Sequence, residues 1–300
     1  MGAYFGEAGY LQLLKDTLNY GEKKETRNGT VYSQFGTMIT FDIADGFPLL
    51  TTKRVFTKGV IHELLWFLRG STNVKELQDE GVHIWDLNSS RDYLDKIGLT
   101  EYPEGILGPV YGWQWRAFNE PYDPTDPHLD NSISCDQIEY ILVELLKPEN
   151  SRRAVLSAWN PVQLKEMALP PCHMLYTFYK DGKGLSCMMN MRSSDLFLGL
   201  PFNIASTALL THIIAAVLHM KVSKICITAT DSHIYEEHVD AVKKQFENPI
   251  LQAPMMSISR PVPLLDSSIK EKIKWIESLK YTDFTIHDYQ SAGSIKALIK

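Results

Sequence analysis

The 300-residue sequence lacks the marks of several common protein classes. Its four cysteines, Cys135, Cys172, Cys187 and Cys226, form no CxxC pair and have no metal-like spacing to histidine, which argues against a metal module. With no signal-peptide pattern at the start, the expected compartment is reducing, cytosolic or nuclear, with the cytoplasm as the default. Basic charge is not in excess: the formal net charge of −6 argues against a general nucleic-acid or membrane-surface binder. Any anion must then be caught by a local arginine cluster. No glycine-rich phosphate loop of either common type occurs, so a phosphate would need side-chain ligands. The longest apolar run, residues 208–220, is broken by His212 and His219 and falls short of a membrane span. Repeats, low-complexity tracts and linkers are missing too.

What remains is the balance of a globular protein, 44% hydrophobic and 22% charged. Tyr10, Leu14 and Leu18 share a helical face that Gly21 ends. Residues 38–43 alternate as a half-buried strand, with Ile39, Phe41 and Ile43 on one side. Residues 60–68 are apolar nearly all round, as in a buried helix, and carry Glu63 inward. Residues 121–136 read as a surface loop, and Asp136 is placed to cap a helix bearing Ile138, Ile141, Leu142 and Leu145. Strands are expected over 153–159, 174–180 and onward from 185, with Asp181-Gly182 as a tight turn. A second buried helix is expected over 203–220 and another helix over 233–246, followed by short strands and turns. Hairpin strands mixed with long buried helices define an α+β (mixed α/β) fold, read as a single domain over 1–300.

Several residues could carry chemistry. Cys172, in Ala-Leu-Pro-Pro-Cys-His, has its backbone fixed by two prolines, so it is either an aimed nucleophile or a buried structural thiol. His173 follows, but neighbours on a strand face opposite ways and it need not touch Cys172. Arg27, Arg152, Arg153 and Arg192, the last beside Ser193, are either phosphate forks or surface ion pairs. Glu63 must be paired, with Arg69 or Lys53 as candidates, or have a raised pKa suited to proton transfer. Asn203 is a helix cap or a base-reading amide. His233 and Tyr235, in Asp-Ser-His-Ile-Tyr, suit binding of a hydroxyl.

Blocks along almost the whole chain, in order, closely resemble the thymidylate synthase family: Phe-Pro-Leu-Leu-Thr-Thr-Lys-Arg (47–54), His-Glu-Leu-Leu-Trp-Phe-Leu (62–68), Ile-Trp-Asp (84–86) and Leu-Gly-Pro-Val-Tyr-Gly (107–112). Ser-Arg-Arg (151–153), Ala-Leu-Pro-Pro-Cys-His (168–173) and Leu-Gly-Leu-Pro-Phe-Asn-Ile-Ala-Ser (198–206) continue the series. The resemblance implies an obligate homodimer that transfers a one-carbon unit to C5 of dUMP, with 5,10-methylenetetrahydrofolate as co-substrate and neither metal, membrane nor nucleic acid required. It implies that Cys172 adds to C6 as a thiolate favoured by the arginines, with His173 beside it. Glu63 would manage protons, and Tyr111 with Asp231 would help remove the C5 proton. Phosphate would be bound by Arg27, Arg192 and Ser193 and, across the interface, by the partner's copies of Arg152 and Arg153. Asn203 would read the uracil edge, and His233 and Tyr235 the deoxyribose hydroxyl. Ile84, Trp85, Asp195, Leu198, Gly199 and Phe202 would face the folate.

The pattern also breaks. Met188-Met189-Asn190-Met191 stands where the family has Gln-x-Tyr-Gln, and Asn-Met-Arg-Ser resembles phage deoxycytidylate hydroxymethylases. Thr230 replaces a glycine, and the loop after Arg27 is one residue short. Ser291-Ala292-Gly293 replaces Pro-His-Pro, and the chain ends Ala-Leu-Ile-Lys, one residue short. A tail that seals poorly admits water to the C5 methylene, so a dUMP hydroxymethylase stands as the alternative to methylation. Asparagine at 203, rather than aspartate, favours uracil over cytosine. A catalytically silent homologue binding nucleotide or RNA is opposed by the charge and by the intact Cys172, Glu63 and Asn203.

Overall fold

The computed structural model describes residues 3–127 and 134–298. Its main sheet comprises β1 (Ala3–Phe5), β2 (Glu22–Thr26), β3 (Gly29–Asp42), β4 (Val155–Ser157), β5 (His173–Asp181), β6 (Gly184–Asp195) and β7 (Val222–Tyr235). The strand order is β1-β3-β7-β6-β5-β4, with β2 folded back on β3. Pairing is antiparallel except for β1–β3 and β6–β7. Helix Gly199–Val217 makes the crossover that the parallel β6–β7 pair requires. β8 (Met255–Ile258) and β9 (Phe284–His287) form a separate antiparallel pair.

Alternation decides which face of the sheet is covered. Leu185, Cys187, Met189 and Met191 of β6, with Ile225 and Ile227 of β7, are buried in the core. Intervening residues such as Met188, Asn190, Cys226 and Thr228 remain half-exposed. Helices Gly6–Tyr20, Thr57–Leu68 and Gly199–Val217 complete the core, and residues 59–68 are all buried.

Many expected elements are present. Gly21 ends the first helix, and Asp136 caps helix Gln137–Leu146 by accepting from the Ile138 and Glu139 amides. The 121–136 loop includes residues 128–133, which lie outside the described residues. Other expectations need correction. The strand at 153–159 shrinks to Val155–Ser157. Helix Gly199–Val217 starts a turn before Asn203, so Asn203 is not its cap. By length and composition this helix could cross a membrane, contrary to the sequence reading; 78% of its most apolar window is buried inside the protein, as in a core helix. Residues 233–235 end β7 rather than open a helix, because long-range pairing with β3 claims them; the helix there is only Val239–Gln245. Helix Ile269–Ser278 was not anticipated, although Ser268 and Glu271 form its capping box.

Candidate active site

One end of the sheet gathers the reactive residues. Antiparallel β5–β6 pairing brings the Cys172 carbonyl to the Arg192 amide at 2.9 Å. Parallel β6–β7 register sets Ser193 beside Asp231 and Asp195 beside His233. The β2–β3 turn adds Arg27 at the same end, because Val31 pairs with Tyr235. Between them lies a cleft of about 530 Å³ whose lining includes Cys172, Arg192, Ser193, Asp195, His233, Tyr235 and Arg27.

Cys172 is held from two sides. Its amide donates to the Tyr111 hydroxyl at 2.8 Å. Arg192 donates through Nε to the Pro171 carbonyl at 2.9 Å and through Nη2 to the Pro170 carbonyl at 2.8 Å, placing Nη2 3.6 Å from Sγ. The two prolines thus offer carbonyls to the same guanidinium that touches the thiol. Burial pushes the thiol pKa up and Arg192 pulls it back, with burial prevailing. Within one chain Arg192 touches the thiol and Arg27 lines the same cleft, whereas Arg152 and Arg153 are exposed and absent from its lining.

Glu63 pairs with neither Arg69 nor Lys53. Its Oε1 accepts from Trp85 Nε1 at 2.7 Å, and Lys53 donates to the Phe197 carbonyl. Burial pushes the Glu63 carboxyl up to about 7, against the opposing pull of the Trp85 bond. Trp85 meets Tyr111 edge-on, with ring centroids 6.0 Å apart, so Glu63, Trp85, Tyr111 and Cys172 form one contiguous chain. His173 stacks on Tyr111 at 4.2 Å, hydrogen-bonds Tyr176 through Nδ1, and is driven down to about 3 by burial. Its ring forms a wall against Tyr111.

Asp231 is engaged through both carboxylate oxygens. Its carboxylate accepts from Lys24 at 2.6 Å and Ser33 at 3.0 Å, and lies 3.1 Å from His233 Nδ1. Bonding by His233, Lys24 and Ser33 outweighs its partial burial and holds it well below the usual carboxylate range. No direct hydrogen bond links it to Tyr111 among the described residues.

Asn203 is half-buried, with Oδ1 near Gly199, and its side chain makes no hydrogen bond among the described residues. Of the residues expected to face a folate, Asp195 lines the cleft. Trp85 is buried, and Ile84, Leu198, Gly199 and Phe202 are half-buried. Sequence reasoning missed Lys24 and Ser33, together with Asn88, Tyr93 and Lys96 of the cleft lining. Of these, Asn88 alone had a signal, lying two residues beyond Ile-Trp-Asp.

The C-terminal segment is tied down at three points. Ala292 N donates to Thr51 O, Arg54 N donates to Gly293 O, and His238 Nε2 meets Leu298 O, each at 2.8 Å. Gly293 has φ +94°, a conformation closed to proline. The last residues of Ala-Leu-Ile-Lys, 299–300, lie outside the described residues.

The strand ends of the mixed sheet thus converge on a positioned thiol and an arginine, joined through Tyr111 and Trp85 to a buried carboxyl, an arrangement able to support nucleophilic chemistry at cysteine. The chain belongs to the thymidylate synthase family, whose family model, described as "Thymidylate synthase", matches residues 8–300. It is 43% identical over 292 residues to human thymidylate synthase, covering 97% of this chain and 90% of that protein. Thymidylate synthase of Candida albicans is 43% identical over 310 residues, covering 97% and 96%. A putative bifunctional dihydrofolate reductase-thymidylate synthase of rice, Oryza sativa subsp. japonica, is 46% identical over 269 residues, covering 89% of this chain and 54% of that protein. The chain spans about half the length of the bifunctional relatives it matches.

Proposed function

We propose that this chain methylates C5 of dUMP to give dTMP, with 5,10-methylenetetrahydrofolate as co-substrate. The observation that carries this reading is the Cys172 thiol, fixed through its amide by Tyr111 and touched by Arg192 in a cleft large enough for a nucleotide. Cys172 adds to C6 of uracil, and the electron pair moves toward C5 and O4, making C5 a carbon nucleophile. Asn203, with its side chain unengaged, offers a donor and an acceptor to O4 and N3–H. Glu63, near neutrality by burial, exchanges a proton at O4 or at a folate nitrogen. The folate supplies the carbon and the hydride when bound; Trp85, Ile84, Asp195, Leu198, Gly199 and Phe202 are the residues that would hold it.

Arg27, Arg192 and Ser193 bind the phosphate in this reading, with Arg152 and Arg153 supplied by the partner of a homodimer. The exposure of both arginines and the half-exposed sheet face support that assembly. Four free cysteines are consistent with a cytoplasmic location. Methylation is preferred to hydroxymethylation because the relatives covered over most of their own length are named thymidylate synthases. Product mass after incubation with dUMP and methylenetetrahydrofolate is the test. Thymidylate with a matching rise in dihydrofolate absorbance is expected, and hydroxymethylated product without dihydrofolate would refute methylation. Failure to release tritium from C5-labelled dUMP would favour a silent homologue.

A further inference from the structure

We propose that Lys24 is a positioning residue: through Asp231 it fixes the His233 ring, with Nδ1 turned to the carboxylate and Nε2 left to meet a sugar hydroxyl. This rests on the reading of His233 and Tyr235 as the sugar-hydroxyl site. Lys24 Nζ lies 2.6 Å from Asp231 Oδ2, while the other oxygen takes Ser33 Oγ at 3.0 Å and faces His233 Nδ1 at 3.1 Å. An ionised carboxylate only accepts, so Nδ1 donates to it and Nε2 is the ring nitrogen left for a ligand. Without Lys24 the carboxylate loses its Oδ2 anchor, and the imidazole it orients is no longer held in one place. The charged groups around His233 are Asp231 on its own strand, Lys24 on β2, Arg27 in the β2–β3 turn, Asp195 opposite it on β6, and Arg192 and Lys96 of the same cleft lining. Lys24 takes no part in the mechanism above, and β2 is the edge strand that carries it to Asp231.

The test compares the full chain with Lys24→Met and Lys24→Arg, using dUMP and its 2',3'-dideoxy analogue, which lacks the hydroxyl. In Lys24→Met the KM for dUMP rises about tenfold, the worth of roughly one lost hydrogen bond, while kcat and the KM for the analogue change by less than about twofold. Lys24→Arg restores the wild-type KM. An equal rise in KM for both nucleotides, or a wild-type preference for dUMP over the analogue that survives in Lys24→Met, would each overturn the proposal. If the wild type binds both nucleotides equally, the sugar-hydroxyl reading itself is wrong and the proposal falls with it.

Discussion

Replacing Glu63 by Gln trades activity for stability, and the exchange can be calculated. In the folded chain the carboxyl sits near 7, against 4.5 for its unperturbed state, because burial penalises the charge. A raised folded pKa means that the favourable contribution is complete below 4.5, falls as pH rises, and is gone above about 7. At about 1.4 kcal/mol per pKa unit, ionising Glu63 costs the fold roughly 3 kcal/mol, of which about 2 kcal/mol falls between pH 5.5 and 8.5. Glutamine keeps a carbonyl oxygen for Trp85 Nε1–H and cannot ionise. Denaturant unfolding at those two pH values, at one protein concentration, should show Glu63→Gln gaining about 2 kcal/mol on the wild type as pH rises. Turnover should fall by about 10²-fold or more, since the same variant removes the transferable proton. Parallel pH dependences of stability in the two proteins would show that Glu63 is not raised by burial, and would remove the argument for it as the proton carrier.

Other substitutions test other parts of the site. Cys172→Ser should lose nearly all turnover while nucleotide affinity by calorimetry changes by less than about threefold; retained turnover would contradict the assigned nucleophile. Tyr111→Phe strips the acceptor from the Cys172 amide, at a cost of about 1–3 kcal/mol, and should lower kcat more than it raises the KM for dUMP. Asn203→Asp should move the kcat/KM preference from the uracil toward the cytosine nucleotide; an unchanged ratio would deny Asn203 its base-reading role. Gly293→Pro replaces a φ of +94° with one fixed near −65°, so it should break the Arg54–Gly293 bond and raise the hydroxymethyl share of product, read by mass spectrometry.

Local signals in the sequence located what local physics decides. Asp136 caps its helix because a carboxylate before an apolar-periodic run satisfies free amides, and Glu63 is buried because its helix is apolar on every side. The Ser268–Glu271 box was equally local and was passed over. Residues 233–235 were a different case. Their polar-apolar mixture fits a helix or a strand, and pairing with β3, some two hundred positions earlier in the chain, decides for the strand. Lys24 was invisible for the same reason: nothing in Glu-Lys-Lys-Glu-Thr marks which lysine meets a carboxylate at position 231.

The C-terminal departure shows how a motif mismatch can mislead when it is read without geometry. Losing Pro-His-Pro for Ser-Ala-Gly suggested a tail less able to seal, and hence a role for water. The glycine instead permits a backbone turn that a proline forbids, and that turn presents the Gly293 carbonyl to the Arg54 amide. Two further bonds, from Ala292 to Thr51 and from His238 to Leu298, tie the segment to the core. A segment fastened in this way carries less ordering entropy into closure than a free one would. Chemical unlikeness at residues 291–293 is therefore compatible with a dry site, which is the condition under which hydride outcompetes water at the C5 methylene.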